Sequence, residues 1–229
     1  MIHIVKEKKV SDEKILNLFR PYVKKWFKLK FKNLTLPQKL AIPLIKEGKN
    51  VLVTAPTGSG KTLAAFAAIL DELFYLSENN KLEDYVYCIY VSPLRALDND
   101  IYRNLQIPLK EISEIAKKLK YELKNEIRIS VRTSDTKASE KAKQLIKPPH
   151  ILITTPESLA LMLVSKKFKE KLKNVKWLVI DEIHELANSK RGIHLSLSVE
   201  RLEYFVGKRI QRIGLGATLE PIEEAAKFL

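Results

Sequence analysis

Paired cysteines and long apolar runs are both missing from this chain of 229 residues. Its single cysteine, Cys88, cannot close an internal disulfide. It lies in the apolar run Tyr85-Val86-Tyr87-Cys88-Ile89-Tyr90-Val91 and reads as a buried strand residue in a reducing compartment. No stretch of about eighteen or more residues is apolar throughout, so no membrane-spanning helix is expected. The first nine residues lack the apolar centre of a secretory signal, and the expected location is the cytoplasm. No Gly/Ser-rich linker, internal repeat or low-complexity tract interrupts the chain. Its length suits one large α/β domain or two small ones. Acidic residues are scarce: 27 Asp and Glu face 41 Lys and Arg, leaving a formal charge of +14. The surplus is concentrated, with 13 basic against 4 acidic residues in 1–50 and 6 against 1 in 165–176. Such a balance fits a polyanionic partner, and equally a lysine-rich solubilising surface of the kind common in proteins from hot environments.

What is present begins with Ala55-Pro56-Thr57-Gly58-Ser59-Gly60-Lys61-Thr62, directly after the apolar run Asn50-Val51-Leu52-Val53-Thr54. A strand feeding a glycine-rich turn and then a helix can aim several backbone N–H groups at phosphate oxygens. Lys61 can reach the β- and γ-phosphates of a nucleoside triphosphate, and the Thr62 hydroxyl can hold Mg²⁺. Thr57, Gly58, Ser59 and Gly60 complete the candidate cradle. The usual pattern opens on glycine, and Ala55 stands in its place. A second apolar run, Trp177-Leu178-Val179-Ile180, ends in Asp181-Glu182-Ile183-His184. A carboxylate at a buried strand end can hold Mg²⁺, and its neighbour can polarise an attacking water. Asp181 is the candidate metal ligand; Glu182, with Lys61, is the candidate catalytic residue.

Runs of strand length at 50–54, 85–92, 127–132, 151–155, 177–181 and 209–215 alternate with helical patterns at 62–77, 96–119, 139–146, 157–163, 168–172 and 193–206. The strands are continuous in apolar character, as when both sheet faces are covered. The alternation predicts an α/β fold, a doubly wound and mostly parallel sheet with its site at the carboxyl ends of the strands. Residues 1–48 are basic and helical in flavour and are expected to form an N-terminal extension packed on a domain spanning 49–229.

Leu94-Arg95-Ala96-Leu97-Asp98-Asn99-Asp100, Arg132-Thr133-Ser134-Asp135-Thr136 and Arg191-Gly192 ahead of Ser198-Val199-Glu200-Arg201-Leu202, taken with the glycine-rich turn and the acid pair, resemble the superfamily 2 DExH-box helicases, most closely the Lhr-like (large helicase-related) group. Phe31-Lys32-Asn33-Leu34-Thr35-Leu36-Pro37-Gln38 resembles the Q motif. Ser92-Pro93-Leu94-Arg95-Ala96-Leu97 resembles motif Ia, and Thr154-Thr155-Pro156-Glu157 motif Ib. The acidic pair with Ile183-His184 resembles motif II, and Gly216-Ala217-Thr218 stands where motif III is expected. The resemblance spans roughly residues 31–221. It implies a RecA-like P-loop NTPase domain with ATP and Mg²⁺ as cofactors and Gln38 reading adenine. It also implies that His184, Ala217 and Thr218 couple hydrolysis to movement. Pro93, Leu94, Arg95, Arg132, Thr133, Thr155, Pro156, Glu157 and Arg191 would grip a DNA or RNA strand by its phosphates, without reading sequence. Arg191 alone fits a surface ion pair equally well, and Phe31 fits either the base or the core. Motif III normally opens with serine, so Gly216 bears on coupling.

No later helicase motif is present. The resemblance therefore implies the first motor domain of a longer helicase, needing a second RecA-like domain for its arginine fingers. Alone it is expected to bind ATP–Mg²⁺ weakly, hydrolyse it slowly and unwind nothing. A non-motor nucleic-acid-binding module with a vestigial ATP site is the alternative, and a small-molecule P-loop kinase a third reading.

Overall fold

Six short strands alternate with helices in the computed structural model, which describes residues 2–5, 10–93, 95–217 and 222–229, and only the backbone at 95–99. The strands are β1 (Val51–Thr54), β2 (Cys88–Val91), β3 (Ile129–Val131), β4 (Ile151–Thr154), β5 (Trp177–Ile180) and β6 (Gln211–Gly216). They form one sheet in the order β1-β6-β5-β2-β4-β3, and every pairing is parallel. Strands β2, β4 and β5 are buried at every position. Their unbroken apolar runs follow, because a parallel sheet is covered on both faces by its crossover helices. The expected α/β, doubly wound architecture is the one observed.

One face carries α1 (Asp12–Leu16), α2 (Pro21–Lys30), α3 (Leu36–Lys46), α4 (Lys61–Glu78) and α5 (Arg95–Lys118). Their apolar residues share a single core with the sheet, running from Ile15, Tyr22 and Phe27 through Phe66 and Phe74 to Tyr90 and Val179. Helix α2 opens on Pro21 and buries Tyr22, Val23, Trp26 and Phe27, a one-sided stripe that needs a partner surface. Its Trp26 Nε1 donates to Glu111 Oε2 of α5 at 2.7 Å. Phe31 sits at the rim of this aromatic group, 36% exposed and edge-on to Trp26 at 5.6 Å. Asp71, deep in α4, accepts the Arg20 N–H and pairs with Lys46, so the N-terminal helices are bound to α4 by charge as well as by packing.

The other face carries α7 (Pro156–Val164), α8 (Lys166–Lys169) with a 3₁₀ turn at Glu170–Leu172, α9 (Ile183–Ala187), α10 (Lys190–Val206) and α11 (Ile222–Phe228) around a second core. Helix α6 (Ala138–Ile146) links β3 to β4. The segment expected as one helix over 168–172 is split into α8 and the 3₁₀ turn, because Ser165 caps α8 at Phe168 N–H and starts it earlier. Helices α9 and α11 were not expected; five and seven residues long, they are too short for a visible 3.6-residue period. Cys88 is fully buried, and burial pushes its thiol far above the ordinary range. Among the described residues no helix is long and apolar enough to cross a membrane.

Candidate functional site

The carboxyl edge of the sheet brings the two principal motifs together. Strand β1 ends at Thr54 and pairs with β6 in a register that sets Thr54 opposite Gly216; β6 in turn pairs with β5, with Ile180 opposite Gly214. The phosphate loop after β1 and the acid pair after β5 therefore flank the end of β6. Ala55 N–H donates to Gly216 O at 3.3 Å, closing the gap between them. The charge of Lys61 acts on both Asp181 and Glu182. The residues at 55–62 and 181–182 lie close together at the carboxyl edge of the sheet.

Within the loop, Gly58 and Gly60 hold φ of +79° and +85°. Left-handed residues in succession turn backbone N–H groups toward a common concavity, and glycine adopts them without a Cβ penalty. A Cβ added at Gly58 meets nothing within 4 Å, whereas one at Gly60 would stand 2.8 Å from Gln38 Nε2 and 3.3 Å from Thr35 Oγ1. The loop is thus open on one side and leans on the start of α3 on the other. Lys61 Nζ donates to Ala55 O at 2.6 Å and Pro56 O at 3.0 Å, leaving a third N–H. The buried Ser59 hydroxyl has no hydrogen-bond partner. An orphaned hydroxyl and open left-handed turns suit an anionic tail. Mg²⁺ beside phosphates typically takes only one or two carboxylates from the protein, and the hard oxygens of Thr62 and Asp181 meet that need.

Gln38 is 2% exposed, and its Oε1 accepts the Thr35 N–H at 3.0 Å in a capping box that starts α3. Its amide is therefore held in place, with its Nε2 end against the phosphate loop. The Thr-x-x-Gln spacing announces that box in the sequence, but its contact with Gly60 is a tertiary one.

Asp181 accepts a hydrogen bond from the Tyr90 hydroxyl, and its Oδ1 accepts the Glu182 N–H at 3.0 Å. Burial raises the Asp181 carboxyl above its usual range, against the pull of those two donors and Lys61. Glu182 is raised by burial and then by the neighbouring Asp181 charge, which makes it a better proton acceptor than an ordinary carboxylate. Glu182 sits at φ +43°, in the left-handed region unfavourable to a side-chain-bearing residue. His184 Nδ1 lies 3.4 Å from Glu182 Oε2. Tyr90 is a site residue that sequence reasoning missed; within an apolar run its hydroxyl had no visible task.

Among the described residues, those expected to hold a strand lie at the same edge. Arg191, in the first turn of α10, forks onto Glu157 of α7 at 2.6 and 3.2 Å and donates to Pro93 O at 3.0 Å. Arg191 thus makes an ion pair that also ties three motif segments together. Thr155 caps α7, its Oγ1 accepting the Ser158 N–H at 3.3 Å, with Pro156 at the first helical position. Arg132 is built into the protein: its guanidinium lies 4.2 Å from the Phe168 ring centre and donates to Lys141 O and Gln144 Oε1. Thr133 is buried and its N–H is taken by Thr136 Oγ1. Ala217 follows β6 directly. Leu94, Thr218 and the Arg95 side chain lie outside the described residues.

The Arg191 fork holds the Glu157 carboxyl down at about 2, against an ordinary 4.5. A depressed carboxylate contributes stability above its unfolded value and loses it as pH falls toward the folded one. Arg191→Gln should therefore be less stable than the parent above about 4.5, the difference vanishing by about 2. Urea melts across that window test it; a difference that stays constant would show that the ion pair contributes nothing.

A parallel sheet bearing a phosphate loop at one strand end and an acid pair two strands away defines a RecA-like nucleotide-binding domain. The chain belongs to the DEAD/DEAH box helicase family, whose sequence model matches residues 35–226. It is 58% identical over 220 residues to the ATP-dependent helicase Lhr-Core of Saccharolobus solfataricus, a match covering 96% of this chain and 25% of that protein. To the Lhr helicase/uracil glycosylase of Escherichia coli it is 44% identical over 217 residues, covering 93% and 14%. Its fold is similar to that of the Mycobacterium smegmatis helicase Lhr bound to ssDNA and AMP-PNP, with a TM-score of 0.87 and 43% identity over 94% of this chain and 27% of that one. The DEAD-box helicase Mss116 bound to ssRNA, at 22% identity and a TM-score of 0.82, shares the fold alone; it covers 99% of this chain and 44% of that one. The chain spans about a quarter of the Lhr-Core relative's length.

Proposed function

We propose that this chain is the ATP-binding first motor domain of a longer, Lhr-like helicase, with residues 1–48 as its helical extension and 49–229 as its nucleotide-binding body. The carrying observation is the strand register that sets the phosphate loop after β1 and the acid pair after β5 on either side of the end of β6, with Ala55 N–H donating to Gly216 O. ATP with Mg²⁺ would supply the γ-phosphoryl group and the charge that stabilises its transfer. The backbone at 57–60 and Lys61 bind the triphosphate tail, and Thr62 and Asp181 offer the metal their oxygens. Tyr90 orients Asp181. Glu182 takes a proton from water, and Gln38 reads the base from its fixed seat. His184, Ala217 and Thr218 join hydrolysis to movement. The strand, DNA or RNA, runs across Pro93, Leu94, Arg95, Thr155 and Pro156, held by phosphates; Glu157 and Arg191 keep those segments in register. Arg132 and Thr133, expected as strand contacts, serve that face as its supports, a reading favoured by the Arg132 contacts with Phe168 and Gln144. Its working place is the cytoplasm, and a second RecA-like domain completes the motor.

Binding of a fluorescent ATP analogue tests the reading directly. Lys61→Ala removes a charge-assisted contact and should weaken affinity by roughly tenfold or more, the ~1.5–3 kcal/mol of a hydrogen bond to a charged group. Unchanged affinity would place the nucleotide elsewhere.

A further inference from the structure

The lysine-rich segment 165–176 has no part in the nucleotide site. The strands run parallel, so Lys176, which immediately precedes β5, and the turn 207–210, which precedes β6, both lie at the amino edge, opposite the nucleotide site. There Lys169 Nζ stands 4.4 Å over the Phe205 ring, and Val86 N–H fixes Lys171 through its carbonyl at 2.8 Å. Among the described residues, Lys166, Lys167, Lys169, Lys171 and Lys208 make no ion pair. The acids nearby are engaged or few. Glu203 is held by Arg212 at 2.9 Å, and Glu200, one turn before Tyr204, lies 3.5 Å from the same guanidinium. Glu83 accepts from Asn174, and Glu72 lies 3.9 Å from Lys176, leaving Glu170 in the segment itself. Beside them a cleft of about 410 Å³ is lined in part by Lys176, Lys208 and Arg209. On the last turn of α10 Tyr204 stands 92% exposed between Arg201 and Lys208 in the chain.

A surface made only for solubility has no use for a bare aromatic ring, whereas unpaired cations on the same edge as an exposed ring, linked to it here through Lys169 over the adjacent Phe205, are what a single strand needs: charge for its phosphates and a face on which a base can stack. We propose that the amino edge, centred on Lys166, Lys167, Lys169, Lys171, Lys208 and Tyr204, is a second contact for single-stranded nucleic acid, separate from the motif face. It rests on reading the chain as a nucleic-acid motor domain. Thirteen residues of α10 separate Arg191 from Tyr204, a rise of about 20 Å, so only a strand long enough to leave the motif face reaches it.

The test uses fluorescent oligo-dT of two lengths, one short enough to cover the motif face alone and one several times longer, titrated at several salt concentrations. Replacing Lys166, Lys167, Lys171 and Lys208 together by Ala should reduce the salt slope for the longer strand by about 3, at ~0.7 per phosphate contact. The short strand should bind as before. A matched control replaces Lys25, Lys110, Lys117 and Lys118, removing the same charge elsewhere, and should change the slope little. Tyr204→Ala should lose roughly tenfold in affinity for the longer strand, while Tyr204→Phe keeps it. Equal losses from the two lysine sets, or no effect of Tyr204→Ala, would overturn the second contact alone. If the unmodified chain holds neither strand, the nucleic-acid half of the motor reading falls with it, whereas ATP binding through Lys61 stands apart.

Discussion

Glu182→Gln, introduced into a form of the protein that includes the second RecA-like domain, should cut ATP hydrolysis by roughly 10²–10⁴-fold while nucleotide affinity stays within a few fold. The change is nearly isosteric and keeps an acceptor oxygen and the backbone of residue 182. What it removes is the capacity to take a proton. Glu182 suits that task because burial and Asp181 both raise its carboxyl, bringing it closer to the operating pH than a solvated glutamate. Asp181, whose Oδ1 and Oδ2 are both occupied by donors, is the more restrained of the pair and better suited to metal than to proton transfer. Hydrolysis that survives Glu182→Gln at full rate would remove the catalytic role from the acid pair. Loss of binding along with rate would instead show that residue 182 shapes the pocket.

Gly192→Ala should destabilise the fold by about 1–3 kcal/mol, a fall in melting temperature of roughly 2–4 °C per kcal/mol for a domain of this size. A Cβ there would lie 1.9 Å from Leu186 O and 2.7 Å from Leu186 C. Those atoms are backbone, so no rotamer change relieves the clash; α9 or the start of α10 must shift. Ser189 caps α10 through the Gly192 N–H at 3.0 Å, so the shift also disturbs that cap. Arg191 is the adjacent residue, and its fork onto Glu157 and Pro93 should be lost with it. Calorimetry gives the stability term. Strand binding separates it from Arg191→Gln, which loses the fork without the clash. An alanine variant as stable as the parent would mean that α10 docks less closely than described.

The site was most legible where local chemistry and chain order coincide. Gly58-Ser59-Gly60-Lys61-Thr62 demands a particular backbone, and Asp181-Glu182 after a continuous apolar run announces a strand end, so both are legible from the sequence alone. The two arginines show where legibility stops. Arg132 and Arg191 each precede a small or hydroxylated residue and look alike in sequence, yet one is stacked on Phe168 and the other forks onto Glu157. Their partners lie 36 and 34 residues away, and only the folded sheet decides which aromatic or carboxylate arrives. The Tyr90 contact with Asp181 is hidden for the same reason, spanning 91 residues. Strand limits also differed: β2 begins at Cys88 rather than 85, because the Tyr87 N–H and the Cys88 N–H both go to His150 O, an irregular step before the ladder becomes regular.

The wedge of Gln38 against Gly60 has a further consequence. A side chain that is itself pinned by Thr35 acts as a doorstop for the turn that cradles phosphate, so the shape of that turn depends on an element 22 residues upstream. Whatever tugs on the front of α3 is felt at Lys61. Under the proposed function, base choice at Gln38 and grip on the phosphates would then be parts of one latch, and a nucleotide with the wrong base would be penalised at its far end as well as its near one.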